Sequence, residues 1–217
     1  MRVGVCIPCR DEVHTGFAFD FARMTAHDAS TRCKDSKGGL NLYTMPGTLI
    51  FDQREKLVQV ALSEGCDAVL FIDSDMRFPH DIIDIMLSRE VPIVGVNATT
   101  RRKPVTPTAK LLTKIQDKDQ VVYKWENIDS RGKQGIEKIT AVGFGAVMIR
   151  KEVFKEVPQP WFDAGWGPTG VCGEDVHFCV KAGDNGFDTW VDHELSMHIK
   201  HIGTYEYGWS DFEKLED

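Results

Sequence analysis

The chain has 217 residues, 42% of them hydrophobic and 27% charged, the proportions of a globular domain with a sizeable core. Its net charge of −7 excludes the basic footprint of nonspecific nucleic-acid binding, so phosphates must be met locally, by a metal or a few Arg and Lys. No apolar run approaches the roughly 20 residues that span a bilayer.

Met1-Arg2-Val3-Gly4-Val5 runs directly into what reads as a core strand, without the apolar stretch of a signal peptide. The six cysteines are then expected to belong to a reduced, cytoplasmic protein. Val3 to Ile7 predicts a short buried strand ended by Pro8. Phe17, Phe21 and Met24 recur at helical spacing in the stretch through Thr25, and polar Asp28 to Gly39 reads as a loop. Gly47 to Glu64 predicts a helix with Ile50, Leu57, Val58, Ala61 and Leu62 on one side, stopped by Gly65. Ala68 to Ile72 is the unbroken apolar run of a central strand covered on both faces. Pro79 leads into a helix through Ile82, Ile83, Ile85, Met86 and Leu87, and Pro92 to Val96 is the next strand.

Beyond it, Asn97 to Lys110 is a Thr-, Arg- and Pro-rich loop, and Asn97-Ala98-Thr99 is a chance sequon. Gln120 to Trp125 and Lys138 to Ile149 predict strands, Pro158 to Gly173 a Trp-rich loop, and Glu174 to Ala182 a short helix. Thr189 to Asp192 is a strand, and His198 to Ile202 a further candidate. The order implies one α/β domain whose sheet is parallel in its first half.

Asp73-Ser74-Asp75 is the most informative segment, because ligands in open α/β sheets bind beyond the carboxyl ends of the strands. Carboxylates two residues apart can hold one hard cation, which can in turn hold a diphosphate; the bland alternative is a turn in which the Asp side chains cap backbone amides. Cys6-Ile7-Pro8-Cys9 suggests a thiol–disulfide pair, but Cys6 falls inside the first strand rather than at a helix start. Zinc held by Cys6, Cys9 and Cys33 lacks a second paired cluster.

Leu70 to Pro79, with Asp73-Ser74-Asp75 at its centre, resembles the DxD segment of GT-A (Rossmann-like) glycosyltransferases, particularly small family-2-like enzymes of bacteria and phages. Val5-Cys6-Ile7-Pro8 is similar to their first strand, whose end receives the nucleobase, and Arg54 to an Arg that faces the nucleotide. Val142 to Arg150 resembles their Gly-rich strand beside the donor sugar, Gly173-Glu174-Asp175 with Phe178 their acidic motif, and His201-Ile202-Gly203 their C-terminal metal-site His. The resemblance implies a single domain with a mixed, mainly parallel sheet flanked by helices, its residues 1–96 binding nucleotide and 97–217 the acceptor.

It further implies Mn²⁺ or Mg²⁺ held by Asp73, Asp75 and His201, with His198 as the alternative ligand, and a donor of UDP-hexose type. Pro8, Arg10, Asp11, Arg54, Ser74, Gly143, Phe144 and Gly145 would face the sugar nucleotide. Asp175 would take the acceptor proton if the reaction inverts, whereas a retaining enzyme would use Glu174 or Asp175 for positioning; both could instead complement a helix N-terminus. Gly143 and Gly145 admit a second reading as a bulge or packing site inside a strand, and Arg101, Arg102 and Lys103 as a solvated surface or a clamp on the diphosphate. Trp161 to Trp166 either lines the acceptor site or covers the core, and Tyr205, Tyr207 and Trp209 are lid candidates. The acceptor is an unknown glycan, lipid or protein, and the short chain leaves room for a homodimer that completes its site. Two other classes use the same residues: a metal-dependent nucleotide-sugar pyrophosphohydrolase or nucleotidyltransferase, and a noncatalytic sugar-nucleotide or glycan-binding module.

Overall fold

The computed structural model describes residues 1–33, 38–117, 120–167, 170–203, 206–209 and 212. In chain order its elements are β1 (Arg2–Cys9), α1 (Thr15–Thr31), β2 (Gly39–Pro46), α2 (Ile50–Ser63), β3 (Ala68–Ile72), β4 (Met76–Arg77), α3 (Ile82–Ser88) and β5 (Ile93–Val96). The hairpin β6 (Lys110–Asp117) and β7 (Gln120–Asn127) follows, then β8 (Ile136–Ile139), β9 (Ala146–Arg150) and α4 (Lys151–Glu156). The chain continues through β10 (Gly165–Gly167), β11 (Gly170–Cys172), α5 (Glu174–Asp184), β12 (Thr189–Asp192), α6 (His193–Ser196), β13 (Lys200–Ile202) and β14 (Glu206–Tyr207).

A seven-stranded sheet in the order β2-β1-β3-β9-β5-β12-β8 forms the centre. β1 is parallel to β2 and β3, and β12 to β5. β9 lies antiparallel between β3 and β5, and β8 antiparallel at the edge beside β12. Thus β2, β1, β3, β5 and β12 share one direction, the mixed but mainly parallel sheet expected. β3 is buried along its whole length and serves both faces by its alternation. Ala68, Leu70 and Ile72 join the core under α1 and α3, with Phe17, Met24, Ile82 and Met86. Val69 and Phe71 join the core under α2, α4 and α5, with Leu57, Ala61, Phe154 and Phe178.

Besides short added elements such as α4 and the β10–β11 hairpin, four features depart from the expected pattern. β2 is an added edge strand, built on Leu40, Leu42 and Thr44 alternating with Asn41, Tyr43 and Met45. α1 runs on to Thr31 because buried Asp28 accepts from Arg32 at 2.6 Å one turn later, which makes a polar stretch helical. β6 adds a strand that pairs with β7 along its length. The apolar stretch from Lys138 to Ile149 is two strands rather than one, because β8 pairs with β12 while β9 inserts between β3 and β5. Val142 to Gly145 is therefore the connection to β9, not strand.

All six cysteines are free thiols. In extended β1, Cys6 and Cys9 are separated by three residue steps, about 10 Å, beyond the reach of a disulfide. Burial, reinforced by Cys66, pushes the Cys6 thiol well above its ordinary range, opposite to a redox-active thiolate. Among the described residues, no helix is long and apolar enough to cross a membrane.

Asn97, fully buried at the end of β5, ties the second half of the chain to the sheet. Its backbone N–H donates to Ser196 Oγ at 2.8 Å. Its Nδ2 donates to the Ile128 carbonyl at 2.6 Å and to Ser130 Oγ at 2.9 Å. Its Oδ1 accepts from the Thr108 and Ala109 amides at 3.0 and 2.8 Å. Every polar atom of this side chain is paired, and no sugar could reach it in the folded chain. Asn97→Ala should cost about 3 kcal/mol in urea unfolding, because it orphans several buried groups at once. A cost below about 1 kcal/mol would show that the network is dispensable.

Candidate active site

The carboxyl end of β3 delivers the acidic turn. Asp73 N–H donates to the Gly145 carbonyl at 3.0 Å, extending the β3–β9 ladder by one residue, and Met76 N–H closes the turn onto the Asp73 carbonyl at 3.1 Å. β4 then leaves the main sheet and pairs antiparallel with β13, setting His201 opposite Met76. Ile202 N–H donates to the Asp75 carbonyl at 2.7 Å. This register carries the His201 ring to the Asp75 carboxylate, with Nε2 3.3 Å from Oδ2.

The other ring nitrogen, Nδ1, lies 2.9 Å from the Thr99 carbonyl oxygen. A carbonyl can only accept, so Nδ1 carries the proton. In a neutral ring, Nε2 then turns its lone pair toward a carboxylate oxygen. Such a contact calls for positive charge, either a proton on Nε2 or a cation shared by both groups. Arg101 supplies part of it from the far side, with Nη1 2.7 Å from the same Oδ2. Burial opposes ionisation of Asp75, but His201 and Arg101 outweigh it and hold the carboxyl below its ordinary range.

Asp73 faces a different partner. Arg54, buried on α2, donates from Nη2 to Asp73 Oδ1 at 2.9 Å and from Nε to Glu174 Oε1 at 3.2 Å. Its guanidinium carbon lies 5.1 and 5.2 Å from the Phe71 and Phe144 ring centres, and Nη1 has no partner among the described residues. Burial pushes the Asp73 and Glu174 carboxyls upward, and Arg54 offsets that only in part. Among the described residues no three His, Cys, Asp or Glu side chains converge as a ready metal cluster. Asp75 and His201 are the adjacent pair, whereas Asp73 is held by Arg54.

Glu174 and Asp175 open α5, whose first turn favours negative charge. Asp175 Oδ1 accepts from the Val176 amide at 2.7 Å, so part of the helix-stabilising reading holds. Both residues also line a cleft of about 470 Å³ with Pro8, Arg10, Arg54, Asp73, Ser74, Asp75, Phe144 and His201. An adjoining opening of about 620 Å³ adds Asp11 and shares Arg10, Ser74, Asp75 and Arg101. The two glycines stand apart from that cleft. A Cβ at Gly145 would meet Met76 Cε at 3.1 Å, and one at Gly143 would meet Thr108 Cβ at 2.9 Å, so both make room for protein.

Sequence reasoning missed the rim supplied by β2 and the start of α2. Buried Gln53 donates to the Cys9 and Met45 carbonyls, clamping the ends of β1 and β2, and Gly47 and Thr48 line the cleft beside it. The alternation of residues 40–45 was the available signal. Trp161 belongs to the core, with Nε1 donating to the Phe154 and Val157 carbonyls, whereas Trp166 is 84% exposed. Of the lid candidates, Trp209 is buried against Phe212, and Tyr205 lies outside the described residues.

No protein-family model matches the chain, and no curated protein matches its sequence. Among solved structures, A197 from STIV aligns with 94% of this chain and 86% of its own at 15% identity, with a TM-score of 0.58, a likeness of fold. TarS from S. aureus, solved with UDP-GlcNAc, aligns at 13% identity over 88% of this chain and 55% of its own, with a TM-score of 0.47. A Drosophila beta-1,4-galactosyltransferase 7 mutant, solved with manganese, UDP-Gal and xylobiose, aligns at 14% identity over 93% of this chain and 71% of its own, with a TM-score of 0.45.

Removing Arg54 leaves Asp73 and Glu174 as unpaired, half-buried carboxylates. Arg54→Ala should lose about 3–5 kcal/mol in urea unfolding at pH 7. Adding Glu174→Gln to that variant should restore part of the loss. Equal stability of the single and double variants would remove charge compensation as the reason.

Proposed function

We propose that the cleft binds a nucleotide sugar, with UDP-hexose as the donor type, and that the chain transfers the sugar to an acceptor hydroxyl. The observation that supports this best is the Asp75–His201 pair at the carboxyl end of a central strand, set among Arg10, Arg54 and Arg101. An oxygen and an imidazole nitrogen in contact, with no proton required between them, suit Mn²⁺ or Mg²⁺, and the imidazole favours Mn²⁺. Asp75 and His201 would hold that ion, with Asp73 facing it from the Arg54 side. When bound, it offsets the charge that grows on the departing diphosphate.

The protein's own groups do the rest. Arg101, released from Asp75, is free to meet a phosphate oxygen, and Arg54 stands at the cleft floor with its Nη1 buried and unpaired among the described residues. Pro8, Arg10 and Asp11 border the space left for the nucleoside. The acceptor oxygen bonds to the anomeric carbon as the bond to the diphosphate oxygen breaks, and that electron pair leaves on the nucleoside diphosphate. In an inverting reaction the hydroxyl proton passes to Asp175, whose Oδ2 has no partner among the described residues. In a retaining reaction Glu174 and Asp175 orient the reactants instead. Residues 1–96 would supply most of the donor site, with Arg101 and His201 joining it from 97–217, the half that would otherwise serve the acceptor.

A panel of sugar nucleotides, with and without Mn²⁺, should release nucleoside diphosphate from one donor only when metal is present. Asp75→Ala and His201→Ala should each lower that rate about 100-fold and weaken Mn²⁺ binding seen by electron paramagnetic resonance, while the protein stays folded. Metal-independent release, or unchanged Mn²⁺ binding in both variants, would defeat the assignment. Sugar phosphate plus nucleoside monophosphate would point to pyrophosphate cleavage, and donor binding without turnover to a binding module.

A further inference from the structure

Asp175 stands on a wall between two cavities. One is the cleft described above; the other, of about 380 Å³, is lined by Thr100, Arg102, Thr108, Lys110, Gly143 and Asp175 among others. We propose that this second cavity receives the acceptor, and that the acceptor carries an anionic group, a phosphate ester or a carboxylate, beside the hydroxyl to be glycosylated. The inference rests on the donor reading above and adds the chemical class of the second substrate.

Charge carries the first part of the case. The chain as a whole has a net charge of −7, yet this cavity holds two cations against one carboxylate, and that carboxylate is Asp175 on the dividing wall. Neither Arg102 nor Lys110 has an ion-pair partner among the described residues. The contrast with the preceding residue is direct, since Arg101 is held by Asp75 at 2.7 Å and borders the donor cleft. Adjacent arginines in one loop thus line opposite sides of the site. Cations that outnumber the carboxylates along a cavity raise the local concentration of anions, and a guanidinium can grip an oxyanion through two N–H groups.

The backbone behind these cations is built rather than loose. Thr100 and Thr106 close the loop, with Thr100 N–H donating to the Thr106 carbonyl at 2.9 Å and Thr106 N–H to Thr100 Oγ1 at 3.0 Å. Lys110 is pinned on both sides by Ala141, donating to its carbonyl at 2.8 Å and accepting from its amide at 3.1 Å. Thr108 is fixed through its amide to Asn97 Oδ1, but its own hydroxyl is buried without a partner among the described residues. A buried hydroxyl left unpaired costs stability unless a ligand meets it. Gly143 is needed for this wall, because a side chain there would strike Thr108. An acceptor seated with its anion on Arg102 and Lys110 can bring its hydroxyl toward Asp175.

The test uses the full chain with UDP and Mn²⁺ saturating the donor cleft, so that a charged probe cannot bind there. Glucose 6-phosphate, glucuronate and glucose are titrated separately by calorimetry. Both charged sugars, or one of them, should bind at least tenfold more tightly than glucose, and the stronger of the two identifies the anion. The double variant Arg102→Gln with Lys110→Gln should lose that preference while keeping its melting temperature and its affinity for UDP with Mn²⁺. Donor binding with no preference for charged over neutral sugars, or a preference that survives the double variant, overturns the anionic acceptor alone. Absence of any UDP or sugar-nucleotide binding by the unaltered chain overturns the donor reading, and this inference with it.

Discussion

The pairing of β13 with β4 is the constraint from which the site follows. Two short strands, outside the main sheet, bring the C-terminal part of the chain to the acidic turn. The Ile202–Asp75 backbone bond sets the register, and the Thr99 carbonyl sets the ring. A shift of one residue would put Lys200 or Ile202 where His201 now stands, since alternate residues of a strand face opposite sides. The chemistry of the cleft therefore depends on main-chain hydrogen bonds that no side-chain motif encodes.

Around that pairing, the protein distributes its charge in two compartments. Arg54 is committed to Asp73 and Glu174 and sandwiched near two phenylalanines, so it is rigid and paired before any ligand arrives. Arg101 is half exposed and, among the described residues, paired only with Asp75. The first arrangement preorganises the floor of the cleft, at the cost of desolvating carboxylates that burial pushes toward their protonated forms. The second leaves a solvent-exposed cation on the rim, where exchange between a carboxylate and an incoming oxyanion takes little energy.

How much of this was legible in the sequence varies with the physics. β3, the Asp73–Asp75 turn and α5 could be read directly, because an unbroken apolar run, a polar pair at its end and a carboxylate-led amphipathic segment are local patterns. The edge strand β2 was missed because one of its faces is open and its alternation sits beside a polar stretch. The division of the residues 138–149 could not be read locally, since only pairing with β12 on one side and β3 on the other separates the two strands. The same holds for charge: Asp73, Asp75 and His201 were grouped as equivalent ligands, and nothing in their spacing foretold that Arg54 would claim one of them. Nor did the run from Arg101 to Lys103 reveal that its members part across Asp175.

The position of β9 has a consequence for how the chain can fold. The strand is antiparallel and central, and it arrives only after five of the main sheet's other strands, β1, β2, β3, β5 and β8, have been made, yet it alone joins β3 to β5. Until it inserts, both of those strands present bare hydrogen-bonding edges with apolar flanks, the kind of surface that recruits other chains. The N-terminal stretch is thus no self-sufficient module. On a ribosome it must wait, or be sheltered, until Ala146 to Arg150 has emerged to zip the sheet shut.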